Sequence, residues 1–103
     1  DFGLSVATWA AVMGFAKTAS IELGPEGITI NTICPGLIDT PRLQKVTEQS
    51  GEAMRNVASS IPVRRIGTPD DIAALVALLA SPRGSYITGT TIPVDGGALG
   101  SLR

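Results

Sequence analysis

The chain has 103 residues, 44% of them hydrophobic and 17% charged, with a net charge of −1, a composition that excludes disorder and describes a soluble globular segment. Its eight Lys and Arg are scattered, with only Arg64 and Arg65 adjacent, so no nucleic-acid partner is expected. A lone cysteine, Cys34, and the lack of histidine exclude an internal disulfide and the usual zinc sites.

A domain of this length buries only about 65% of the surface its unfolded chain exposes. Some apolar faces are therefore expected to lack an internal partner, as in an oligomer or a fragment. No run reaches the ~20 uninterrupted apolar residues of a membrane span, and the first residues form no signal peptide. The expectation is a cytoplasmic protein without a membrane partner.

Between Ser5 and Leu23 apolar residues leave almost no polar face, which predicts a helix buried on more than one side. "GPEG" ends it, with Gly24 suited to a left-handed cap and Pro25 unable to continue the helix. "ITINTIC", Ile28 to Cys34, is β-branched and too short for a helix, so it reads as an interior strand that Pro35 and Gly36 terminate. The turn that follows lies at the strand's carboxyl end, where open α/β sheets bind ligands.

From Pro41 to about Ser60 the sequence is amphipathic but broken at Ser50 and Gly51, which predicts one or two short helices. They form either a cover over a ligand or a solvated connector. The stretch Asp39 to Asp71 holds ten of the seventeen charged residues, five of each sign, and is the solvated part of the chain. "GTPDDIAALVALLAS" then predicts a helix with Thr68 as cap, Pro69 at its first position and Asp70 and Asp71 at the positive end of its dipole. Thr90 to Val94 reads as a strand, and Pro93, which cannot donate to a ladder, places it at an edge or a strand end.

The order helix, strand, helix, helix, strand implies a right-handed crossover between parallel strands in a doubly wound α/β architecture. Two strands are too few for such a sheet. Either other chains complete it or most of it lies on sequence outside these residues.

Four blocks, in order and correctly spaced, carry a resemblance. "AAVMGFAKTASIELGPEGITIN", "PGLIDTPRL", "RRIGTPDDIAALVALLAS" and "SYITGTTIPVDGG" are similar to the last helix-strand units of the short-chain dehydrogenase/reductases. The resemblance covers nearly the whole chain and implies the carboxyl-terminal part of a Rossmann-type doubly wound parallel sheet. On that reading residues 1–103 are one partial Rossmann-like α/β segment, and 41–66 are a substrate lid within it. The implied activity is NAD(P)-dependent oxidation or reduction of a small carbonyl or alcohol substrate by a homo-oligomer, a dimer or tetramer in which the first helix packs on its counterpart. The family's glycine-rich pyrophosphate cradle is absent, so no cofactor and no activity are expected of these residues alone. A non-catalytic oligomerisation or binding module derived from the family is the alternative.

The resemblance also sets a register. Anchored on "AAVMGF", the family's catalytic Tyr and Lys positions fall on Ser5 and Trp9, so neither catalytic side chain is retained. A Tyr donates a proton to the reduced carbonyl when a nearby ammonium lowers its pKa from ~10. Neither a Ser hydroxyl nor an indole repeats that chemistry. Ser5 otherwise reads as an N-cap or first-turn residue, and Trp9 as a core or interface aromatic or a stacking platform. Tyr86 falls in a family segment without a catalytic role.

By the same resemblance the turn at Pro35, Gly36, Ile38 and Thr40 binds cofactor. The Ile38 backbone bonds the carboxamide, Thr40 approaches the amide or phosphate, and Pro35 with Gly36 permits close approach. The plainer reading is a strand-to-helix turn in which Thr40 caps the next helix before Pro41. Asn31 is expected to bond nearby backbone, Cys34 to be a small buried hydrophobe, Asp70 and Asp71 to serve the helix dipole, and Arg64 and Arg65 either to meet an anionic substrate or to be solvated.

Overall fold

The computed structural model describes residues 2–47 and 51–99. Its elements are α1 (Phe2–Leu23), β1 (Thr32–Pro35), α2 (Pro41–Thr47), α3 (Gly51–Ser60), α4 (Pro69–Leu79) and β2 (Thr91–Val94), with single 3-10 turns at Gly24–Glu26 and Pro82–Gly84. The 41–60 stretch is thus two helices. β1 and β2 are adjacent in one two-stranded sheet. Their ladder advances in the same direction on both strands, Thr32 N–H donating to Thr90 O and Gly36 N–H to Val94 O, each at 2.9 Å, so the pair is parallel. This is the expected α/β class. Two compact units divide the chain: Asp1–Ile33 with Val76–Ile92, and Cys34–Leu75 with Pro93–Arg103.

In the first unit α1 buries only one face. Ser20 is buried, with Met13, Ala16, Ala19 and Leu23 half-buried along the same side, whereas Leu4 is 78% and Phe15 75% exposed. Among the described residues the unit covers one side of the helix, and the other is one of the apolar faces expected to lack an internal partner. The membrane expectation needs a correction. Although no uninterrupted apolar run exists, Gly3–Glu26 is long and apolar enough by length and composition to cross a bilayer, with a mean hydropathy of 1.2. Core helices of soluble α/β proteins pass the same test with most of their length buried; here 6% of the apolar window is buried, and Lys17 and Glu22 interrupt the helix.

The helix ends at Leu23, where the sequence ends it, but its left-handed cap comes one turn later than Gly24. Gly24 opens a 3-10 turn and Gly27 takes the left-handed conformation at φ 77°, its N–H donating to Gly24 O at 2.9 Å. Proline at the turn's second residue tightens the backbone, and the left-handed step falls on the next glycine.

β1 is shorter than the predicted strand because side chains replace its ladder over Ile30 and Asn31. Ile30 N–H donates to Thr88 Oγ1 at 3.0 Å, and Gly89 N–H returns to Ile30 O at 2.8 Å. Asn31 donates from Nδ2 to Ile87 O at 3.0 Å and accepts at Oδ1 from Thr90 Oγ1 at 2.6 Å and Thr90 N–H at 3.3 Å. It fastens the loop before β2 to the start of β1, the backbone role read from its sequence. In β2 Thr90 and Val94 carry the carbonyls that bond β1, so by the alternation of the ladder Pro93 turns its nitrogen away from β1, where its missing donor is tolerated.

The second unit has a small apolar centre. Ile61, 5% exposed, is its buried aliphatic, and α2 and α3 pack on each other.

Candidate functional site

The second unit holds the turn that follows β1. Gly36 N–H is bonded to Val94 O, which brings the strand's end against Asp95. A Cβ on Gly36 would stand 2.7 Å from Asp95 Cβ and 2.8 Å from Asp95 Cα. The close approach expected of a ligand at Gly36 is therefore made by the chain itself. Asp95 is held in place by its own turn, its two carboxylate oxygens accepting from Gly97 N–H at 2.9 Å and Leu99 N–H at 3.1 Å. The sequence signal for this is the Asp-Gly-Gly run, the composition of an Asx turn.

Leu37 and Ile38 then pair with Gly67 in an isolated parallel bridge. Gly67 N–H donates to Leu37 O at 2.9 Å and Asp39 N–H to Gly67 O at 2.8 Å. In that pattern the N–H and C=O of Ile38 itself face away from Gly67. Among the described residues nothing accepts the Ile38 N–H. The turn closes at Thr40, whose Oγ1 accepts from Leu43 N–H at 3.3 Å while its carbonyl accepts from Gln44 N–H at 2.9 Å. Thr40 is the N-cap of α2 and Pro41 its first residue, the plainer of the two sequence readings. Oγ1 acts there as acceptor, and among the described residues nothing accepts the Thr40 hydroxyl proton.

Behind this turn lies a cavity of about 390 Å³, walled by Leu37, Ile38, Ile61, Val63 and Val94 and edged by Arg65, Asp71 and Asp95. Arg65 grips Asp71 with both nitrogens, at 2.7 and 3.1 Å. The Arg65 hydrogen bonds, followed by the Thr68 N–H at 2.8 Å, hold the Asp71 carboxyl well below the usual carboxylate range, and the same contact raises the Arg65 pKa. This corrects one expectation. Thr68 does not cap α4 with its hydroxyl, which donates to Asp71 Oδ2 at 3.2 Å; the side chain that accepts backbone N–H at the helix start is Asp71, reaching back from the third position. Arg65 is exposed, as its solvated reading expects, and is also engaged by Asp71. Arg64 adopts φ 61° and donates to the Ser59 carbonyl.

Ser5 and Trp9 belong to the first unit. Helix α1 starts at Phe2, so Ser5 is a first-turn residue and not an N-cap. Trp9 shares the inner side of the helix with Met13, Ala16 and Ser20 yet is 60% exposed, because the described residues of this unit do not extend alongside it. It is therefore not a core aromatic within this unit. Cys34 is half-buried rather than fully buried, Asp70 is exposed, and Tyr86 is fully exposed. No cluster of metal-ligating side chains occurs among the described residues.

A family model described as enoyl-(acyl carrier protein) reductase matches residues 3–98. The short-chain reductase protein NovJ of Streptomyces niveus is 45% identical over 91 residues, which cover 84% of this chain and 35% of that protein. Among solved structures, YwfH, described as an NADPH-dependent reductase involved in bacilysin biosynthesis, superposes with a TM-score of 0.84 at 41% identity over 90% of this chain and 38% of its own. ElxO, solved with NADP bound, gives 0.82 at 35% identity over 92% and 38%. The chain thus spans little more than a third of the length of these relatives.

Proposed function

Because the chain belongs to the short-chain dehydrogenase/reductase family, we propose that it is the carboxyl-terminal portion of an NAD(P)-dependent oxidoreductase acting on a carbonyl or alcohol substrate. One observation carries the reading: Ile38 presents a backbone N–H without a partner among the described residues, on a turn fixed by Gly67 and by the Thr40 cap. An amide donor oriented by a rigid turn suits a nicotinamide carboxamide oxygen, and the Thr40 hydroxyl proton supplies a second donor beside it. Pro35 and Gly36 shape the turn, but Gly36 does so by admitting Asp95.

When bound, the nicotinamide supplies hydride transfer to or from the substrate carbon. The residues of this chain orient its ring and leave the proton to another source. Ser5 and Trp9 sit one helical turn apart where the family places its Tyr and Lys, and neither side chain donates a proton near neutrality. On this reading the proton comes from water or from residues outside 1–103. Residues 41–66, with α2 and α3, act as the substrate lid. The reading places the protein with the cytoplasmic nicotinamide pool as a homo-oligomer.

The pyrophosphate cradle is missing from these residues, so the 103-residue chain alone is expected to bind no nicotinamide and to be inactive. Titrating NADPH and NADH fluorescence with this chain and with the longest native form tests both halves of the proposal. Saturable binding by the long form only is the expected result. Failure of the long form to bind would remove the oxidoreductase reading, and micromolar binding by the short chain would overturn the assignment of the cradle.

A second reading, a non-catalytic oligomerisation or binding module, draws support from the exposed side of α1, where Leu4 and Phe15 stand in solvent. A monodisperse monomer at micromolar concentration in sedimentation would count against it.

A further inference from the structure

The chain from Arg65 to Asp71 closes on a single carboxylate. Asp71 accepts from Arg65 Nη1 at 2.7 Å and Nη2 at 3.1 Å, from the Thr68 N–H at 2.8 Å and from the Thr68 hydroxyl at 3.2 Å. Inside this clasp sits Gly67, the residue that pairs with the turn after β1. Its N–H donates to Leu37 O at 2.9 Å, and its carbonyl accepts from Asp39 N–H at 2.8 Å. The approach is close, since a Cβ at residue 67 would stand 2.8 Å from Ile38 Cδ1 and 3.6 Å from Asp71 Oδ2.

Glycine is the residue least able to hold a backbone direction by itself, so the direction comes from its neighbours. The Thr68 N–H shares a planar peptide with the Gly67 carbonyl, and Asp71, by binding that N–H, orients the acceptor of Asp39 N–H. Arg65 Nη1 also reaches Ile66 O at 3.4 Å, and that carbonyl shares its plane with the Gly67 N–H. Gly67 in turn holds Leu37 and Asp39, which leaves the Ile38 N–H between them turned outward. Resting on the oxidoreductase reading above, we infer that Asp71 is a positioning residue for the nicotinamide: with Arg65 it fixes both peptide planes of Gly67, and through them the direction of the Ile38 N–H offered to the carboxamide. It touches no cofactor itself. Asp70, one residue earlier and exposed, brings the same charge to the helix dipole but is no part of the clasp.

Calorimetric titration of the longest native form with NADH and NADPH, and with the same nucleotides lacking nicotinamide, ADP-ribose and its 2′-phosphate, tests the inference. In Asp71→Asn the Kd of whichever reduced nucleotide the native form binds is expected to rise about three- to tenfold, the contribution of one hydrogen bond, while the Kd of its nicotinamide-free counterpart stays unchanged. Asp71→Glu keeps a carboxylate at the position from which Glu commonly reaches back to the N-cap, and is expected to keep native affinity. Asp70→Asn is the control and leaves both constants unchanged. Arg65→Gln removes an exposed partner and leaves the Thr68 N–H bound; it is expected to give a smaller loss of the same selectivity, and it decides the question if Asp71→Asn does not fold. Equal weakening of both nucleotides, no change in either, or an Asp71→Glu variant as weak as Asp71→Asn overturns the inference and leaves the oxidoreductase reading standing. If the native form binds neither reduced nucleotide, that reading fails and the inference fails with it.

Discussion

Gly36 and Asp95 meet so closely that a methyl group on the glycine would lie 2.7 Å from the aspartate's Cβ and 2.8 Å from its Cα. The contact joins the end of β1 to the end of β2 and sets the path of the turn carrying Ile38 and Thr40. Gly36→Ala is expected to cost about 1–3 kcal/mol, as overpacking does elsewhere. Gly14→Ala, in α1 with nothing within 4 Å of the added carbon, is expected to gain up to about 1 kcal/mol from helix propensity. Urea denaturation of the two variants separates them, and equal stabilities would show that the Gly36 contact is not tight.

Asn31 bridges three groups, the Ile87 carbonyl, the Thr90 N–H and the Thr90 hydroxyl. Asn31→Ala leaves them without that partner in a half-buried position, a loss of about 1–3 kcal/mol. Asn31→Asp is expected to be as damaging at neutral pH, because a carboxylate then faces the Ile87 carbonyl. Protonating that carboxyl restores a donor to the Ile87 carbonyl, so the variant's deficit against the unsubstituted protein is expected to shrink as the pH falls. Denaturation midpoints of the two proteins across a pH series check this; a deficit that stays constant or widens on acidification would contradict the geometry.

Acid sensitivity at Asp71 has the opposite sign. Arg65 and the Thr68 N–H depress its carboxyl in the folded chain, so the pair's stabilisation is complete above the unfolded value of about 4. It is lost as pH falls from there through the lower folded pKa. Asp71→Asn is expected to be less stable at neutral pH and to show a flatter acid limb below about pH 4. Parallel acid limbs for the two proteins would exclude the pairing as a source of acid sensitivity.

Arg64 is the described non-glycine residue with a positive φ, 61°. Arg64→Ala and Arg64→Gly both lose the guanidinium bond to Ser59, but only glycine relieves the left-handed backbone. Arg64→Gly is therefore expected to be more stable than Arg64→Ala by about 1 kcal/mol. Thermal melts of the pair suffice, and the reverse order would place residue 64 in ordinary backbone space.

The helices were legible because their signals are local. Pro69 with Asp70 and Asp71 marks the start of α4, and Thr40 with Pro41 marks that of α2, whatever surrounds them. What escaped the sequence depends on partners distant along the chain. That Asp71 is taken by Arg65, that Gly36 admits Asp95, and that Thr88 and Asn31 replace part of the ladder are all facts of packing with no periodic trace. The exposed outer side of α1 follows the expectation that some apolar faces lack an internal partner. Apolar composition records a demand for cover, and the described residues of its unit cover one side alone. The pattern at Pro35, Ile38 and Thr40 was visible, yet only the bridge to Gly67 shows which way the Ile38 N–H is turned.

The pairing of β1 with β2 also bears on how the chain reaches this structure. Ile30 and Thr88, bonded at 3.0 Å, are 58 residues apart, and no nearer strand gives β1 a temporary partner among the described residues. The intervening loop must close before any sheet hydrogen bond compensates for its lost entropy. Helices α1 and α4 are free to form first, within about a microsecond, whereas the sheet awaits a long-range encounter in a chain whose α1 still offers bare apolar surface. For these residues folding by themselves that encounter is expected to be the slow step, and the interval before it is when self-association competes most strongly with the native structure.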